Sequence, residues 1–250
     1  MTSRIFLVFK KYKALDYRVM LRAVCQGGAG VMVFTGILLA SSVPSVQAQG
    51  IQTISPEQKQ KEQFLRAARF DDLRRIKTLI EQGVNPNQTE SERGESALML
   101  TVREDSYQVF QYLIFHPQID LNARANNGDT ALMLAAYLGK VDWLSELIFA
   151  GAQINQVGWT ALHYAAAIGD EQIIAVLLEN SAYIDAESPN KTTPLMMAAR
   201  KGDLPAVKLL VQEGADVHLK NLLGLTAYDF AHDAGMRDVA KYLQQQMQHP

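Results

Sequence analysis

The stretch Gly128–Asn155, GDTALMLAAYLGKVDWLSELIFAGAQIN, decides how the rest of the chain is read. Thr130 stands where a helix N-cap belongs, its hydroxyl placed to accept from an orphan amide of the first turn. Leu132, Ala135 and Ala136 then fall on one helical face, and Gly139 ends the helix. A second apolar stripe follows in Val141, Leu144, Leu147 and Ile148, ended by Gly151. The pattern returns at Gly158–Asp185 and again at Thr192–His218. The opening residues Ser96, Thr130, Thr160, Thr193 and Thr226 are spaced 34, 30, 33 and 33 apart. One unit of this size cannot bury its own stripe, so a period near 33 implies a stack in which each unit covers its neighbour.

Thr160-Ala161-Leu162-His163, Thr193-Pro194-Leu195 and Gly214-Ala215-Asp216-Val217 give the chain its resemblance to ankyrin repeats, over roughly Lys61 to Gln246. The fold this implies is an all-α repeat solenoid of about six helix-turn-helix units with short outward hairpin-like fingers. The repeats are placed at about 61–90, 91–124, 125–156, 157–187, 188–220 and 221–250. Repeat 2 departs from the pattern, with Thr101-Val102 for the alanine pair and Asp105 for the glycine; repeat 5 has Lys191 where glycine is usual. Asp71 and Asp72 read as an N-cap pair for the second helix of repeat 1. The finger between repeats 3 and 4 is three residues short, with only Gln156 and Val157 between Asn155 and Gly158.

Outside the repeats, residues 1–48 carry six Lys/Arg and one Asp, and residues 49–250 carry 18 Lys/Arg and 25 Asp/Glu. The basic run Arg4 to Arg22, the apolar run Val31–Ala40 and Val46-Gln47-Ala48 read as a secretory leader cleaved between Ala48 and Gln49, with Met20 as an alternative start. This predicts a periplasmic protein. An uncleaved leader would instead anchor it in the inner membrane, although the apolar run is short of the roughly 20 residues of a spanning helix. Residues 49–60 are polar and read as a flexible spacer. The lone Cys25 falls in the leader, which leaves the remainder without thiol chemistry or a cysteine metal site.

No nucleophile elbow, phosphate loop or zinc-binding helix is present, and no cofactor or metal is expected. The acidic balance of residues 49–250 argues against nucleic acid as partner. His163 reads as structural, since the resemblance gives the histidine of this box the task of bonding across the turn. Trp143 is expected in the core beside Leu144.

Function is therefore expected from the surface: a non-enzymatic scaffold, monomeric, with no small-molecule substrate, that binds a protein. The resemblance places the partner along a concave face made of finger tips and first helices. Carried onto this chain, that face brings Tyr137, Leu138, Trp159 and Ile168 together in repeats 3 and 4, flanked by Arg103, Arg200 and Lys201. An apolar centre within a charged rim is the anatomy of a protein interface, and Trp and Tyr are common anchors. The alternative for Trp159 is packing on the next finger. Two other roles remain open: an immunity or inhibitor protein for a secreted toxin, and a membrane-anchored recruiter.

Overall fold

The computed structural model describes residues 55–248, which belong to one compact unit. The leader, its Ala48–Gln49 junction, Met20 and Cys25 lie outside the described residues. Twelve helices follow one another: α1 (Pro56–Arg69), α2 (Leu73–Glu81), α3 (Ala97–Arg103), α4 (Tyr107–Ile114), α5 (Ala131–Tyr137), α6 (Val141–Phe149), α7 (Ala161–Ile168), α8 (Glu171–Glu179), α9 (Pro194–Lys201), α10 (Leu204–Gln212), α11 (Ala227–Asp233) and α12 (Arg237–Gln248). Among the described residues the only β feature is a single antiparallel bridge between Thr89 and Ser96. No helix among them is long and apolar enough to cross a membrane.

Each odd-numbered helix packs on the next odd-numbered one, and even on even along most of the stack, so the repeats form two layers. The first helices carry a row of small residues where they face one another. Ala67-Ala68, Ala135-Ala136, Ala165-Ala166 and Ala198-Ala199 are all buried, as are Thr101-Val102 in their place. The second-helix layer is built from bulky ones, including Ile76, Phe110, Leu144, Ile173 and Leu210. Small side chains let one layer close up while large ones hold the other apart. The first helices accordingly lie closer to one another than the second helices do.

Caps set the period. The hydroxyls of Ser96, Thr130, Thr193 and Thr226 accept from the amides of Met99, Met133, Met196 and Asp229. Asp72, Asp170 and Asp203 do the same for the second helices. Between the two helices of every repeat sits one left-handed residue: Asp71, Asp105, Gly139, Gly169, Gly202 and Gly235 have φ from 55° to 82°. This corrects the reading of Asp71 as half of an N-cap pair. Asp72 alone caps α2, and Asp71 fills the glycine position, where its carboxylate accepts from the Val109 amide of the next repeat at 2.9 Å.

Residues 56–60, expected to belong to a flexible spacer, are helical: Ser55 caps α1, which begins at Pro56. The polar C-terminal run likewise continues α12 as far as Gln248.

Beyond the second helices, side chains tie one repeat to the next. The Asn87 amide bridges the Gln118 carbonyl and the Asp120 amide. Asn122 accepts from Gln153, Asn155 from Tyr183, and Asp185 from Asp216. The ladder holds neighbouring repeats in register where few apolar groups are available to do so.

Candidate functional site

The first-helix surface is laid out by two rows of the repeat. One row lies in the last turn of each first helix: Arg69, Arg103, Tyr137, Ala167, Arg200 and Asp233. The other lies one turn earlier: Leu100, Leu134, Tyr164, Met197 and Phe230. Leu100 and Leu134 are buried, whereas Tyr164, Met197 and Phe230 are half-buried and floor the groove. This second row was not singled out from the sequence, although its spacing is the spacing of the caps.

Tyr137 ends α5 and is 54% exposed; Leu138, its C-cap, is 36% exposed. The Tyr137 ring meets the Tyr164 ring edge-on, with centroids 6.0 Å apart. Tyr164 in turn donates to Asp129 Oδ1 on the preceding finger at 2.5 Å. Burial, reinforced by that hydrogen bond, pushes the Tyr164 phenol well above its usual range. The hydroxyl is a fixed donor, not an acid or base.

Trp159 and Ile168 stand at opposite ends of α7, both half-buried. Trp159 packs edge-on against His163, with centroids 5.2 Å apart. The shortened finger beside it exposes Val157 and covers the Gln156 side-chain amide, which has no hydrogen-bond partner among the described residues.

His163 is buried and both ring nitrogens are engaged. Nδ1 accepts from the Thr160 amide at 3.2 Å and lies 2.9 Å from its hydroxyl; Nε2 donates to the Thr192 carbonyl of the next repeat at 2.8 Å. Burial holds its pKa below the ordinary value. A neutral, doubly engaged imidazole has no free lone pair for a substrate. Trp143 lies in the outer layer, half-buried against Phe110 and Tyr107 of the preceding repeat, with the Lys140 ammonium 5.0 Å from its ring. It fills the seam between α4 and α6, not the interior of its own repeat.

The three flanking cations differ in kind. Arg103 is held by both carboxylate oxygens of buried Glu95, with Nε to Oε2 at 3.0 Å, and this pairing raises its already high pKa. Arg200 and Lys201 are exposed and enter no ion pair among the described residues. Among those residues no group of three His, Cys, Asp or Glu is arranged to hold a metal ion. The arrangement offers shape, apolar contact and fixed charge, which is the chemistry of binding.

Comparison with known proteins adds the family. A family model described as "Ankyrin repeats (3 copies)" matches residues 64–157, 104–188, 139–221 and 162–249 in overlapping passes. The chain is 38% identical over 135 residues to neurogenic locus notch homolog protein 1 of Xenopus tropicalis, and 37% identical over the same length to that of Homo sapiens. It is 37% identical over 124 residues to neurogenic locus notch homolog protein 2 of Homo sapiens. The first two matches cover 53% of this chain and the third 48%, in each case against only 5% of the relative.

Proposed function

Because this chain belongs to the ankyrin-repeat family, whose repeats generally mediate protein–protein interactions, we propose that it is a non-enzymatic scaffold that binds a protein partner along the first-helix face of repeats 3 and 4. One observation carries the location: Tyr137 and Leu138 stay exposed at the end of α5, where the Tyr137 ring is held edge-on by the half-buried Tyr164. Aromatic anchors already held by their neighbours lose little freedom on binding, which favours affinity.

The paired test is capture from a cell extract with the wild-type chain and with a Tyr137→Ala/Trp159→Ala variant. A protein retained by the first and lost by the second supports the assignment. Retention by both moves the site elsewhere.

The compartment proposed with this function is the bacterial periplasm, on the basic, apolar and small-residue order of the leader. N-terminal sequencing of the protein recovered from cells tests it: a chain starting at Gln49 supports export with cleavage, and an intact leader favours a membrane-anchored recruiter.

A further inference from the structure

Arg69, Arg103 and Arg200 hold the same register in repeats 1, 2 and 5, at the end of the first helix. Two of them are answered from within the chain. Glu90 stands 3.9 Å from Arg69, and Glu95 clasps Arg103. Neither answer is available to Arg200. Glu95 precedes the cap residue Ser96, and the residue that precedes the cap Thr193 is a buried threonine, Thr192. Glu90 lies six residues before a cap, and the equivalent place in the finger after repeat 5 is Lys220.

Arg200, Lys201 and Lys220 are thus three exposed cations, none in an ion pair among the described residues, on a repeat domain whose balance is acidic. Beside Arg200 opens a hollow of about 450 Å³ lined by Arg200, Leu225, Phe230, Asp233 and Ala234. At the tip of the same finger Leu222 and Leu223 are exposed, the latter at 79%.

We propose that this groove in repeats 5 and 6 takes a segment of the partner protein in which a carboxylate adjoins a large apolar side chain. The carboxylate pairs with the Arg200 guanidinium, whose planar fork suits two parallel hydrogen bonds. Lys201 and Lys220 deepen the attraction. The apolar side chain enters the hollow against Phe230 and Leu225, where it also shields the ion pair from water. Asp233, on the same wall and 3.4 Å from the His232 ring, repels a second carboxylate there. The groove therefore admits acid at its repeat 5 end and not at its repeat 6 end. This assignment rests on the first-helix face being the binding face and adds the chemistry of what it binds.

The test is selection of a random peptide library displayed on phage against the full-length chain as recovered from cells. Wild-type chain, an Arg200→Ala/Lys201→Ala variant and the Tyr137→Ala/Trp159→Ala variant are used in parallel. The expected result is enrichment of Asp or Glu beside an aliphatic or aromatic residue, lost on the Arg200→Ala/Lys201→Ala chain. A peptide so selected should bind about tenfold more weakly to Arg200→Ala. Arg200→Glu should accept the same peptide with lysine in place of its acid better than the wild type does. All three cations are exposed, so an unchanged unfolding midpoint accompanies the loss. Selected peptides with no acidic preference, or acidic ones indifferent to Arg200, overturn the assignment. If such peptides still depend on Tyr137 and Trp159, the first-helix face survives and only the acidic groove falls. Failure of the wild-type chain to select any peptide overturns both.

Discussion

His163 shows how far burial decides the role of a residue that sequence alone leaves tempting. Its ring is kept neutral because protonation would place a charge in the interior and remove the lone pair that accepts from Thr160. A histidine whose folded pKa lies below its unfolded value contributes stability above the unfolded value, and that stability is lost as pH falls through 6.5 toward the folded pKa. The chain should therefore lose unfolding free energy as pH falls below about 6.5, and His163→Gln should flatten that slope in urea titrations. At neutral pH, His163→Ala removes one of two donors to the Thr192 carbonyl, the Ser188 amide remaining at 3.1 Å, and the lost hydrogen bond should cost about 1 kcal/mol. The arginines divide in the same way. Arg103→Ala leaves the buried Glu95 carboxylate with only the exposed Arg93, 3.7 Å away, and should cost about 1–2 kcal/mol, discounted for the partial exposure of the arginine. Arg200→Ala should change stability by less than about 0.5 kcal/mol. Equal costs in thermal or urea unfolding would contradict the distinction between an answered and a free cation.

At the scale of elements, the contact among first helices is the most demanding. Ala165 on α7 and Ala198 on α9 are fully buried in the layer where the helices approach most closely. Ala165→Leu or Ala198→Leu should overpack it and cost about 1–3 kcal/mol by denaturant unfolding. Neutral results for both would mean that the repeat register is wrong. The turns make a related demand. Gly169 has φ of 80°, and a methyl group there would run into the Asp203 carboxylate that caps α10. Gly169→Ala should therefore cost about 1–2 kcal/mol by the same measurement, through backbone strain and a disturbed cap together. At the equivalent place in repeat 1, Asp71 tolerates the left-handed conformation because its side chain is repaid by the Val109 amide.

Over the whole molecule, the fold was legible because its signal is repeated. Threonine caps, alanine pairs and glycine turns recur at one period, so an irregular repeat 2 is placed by its neighbours. Features that occur once, or that depend on another repeat, were harder to read. Asp71 beside Asp72 looks like a capping pair in sequence, and only the Val109 amide 38 residues away reveals its separate task. Ser55-Pro56 is a helix start that the polar residues after it disguised. At the candidate site, Tyr137 and Leu138 were legible as helix-end residues. The groove floor of Tyr164, Met197 and Phe230 was not, because at that register a leucine is buried in one repeat and a larger side chain is left half-open in the next. The difference between Arg103 and Arg200 was hidden for a similar reason: it lies in whether Glu95 or Thr192 stands nearby, not in the arginine.

The central claim is that a protein partner is held on the first-helix face, and hydrogen exchange on the complex with the captured partner addresses it most directly. Protection gained over Tyr137-Leu138 and Trp159–Ile168, with the exposed second-helix ends at Phe115 and Phe149 unchanged, is the predicted result. Protection centred on Phe115 and Phe149, with α5 and α7 exchanging as in the free chain, would place the partner on the opposite face and contradict the account.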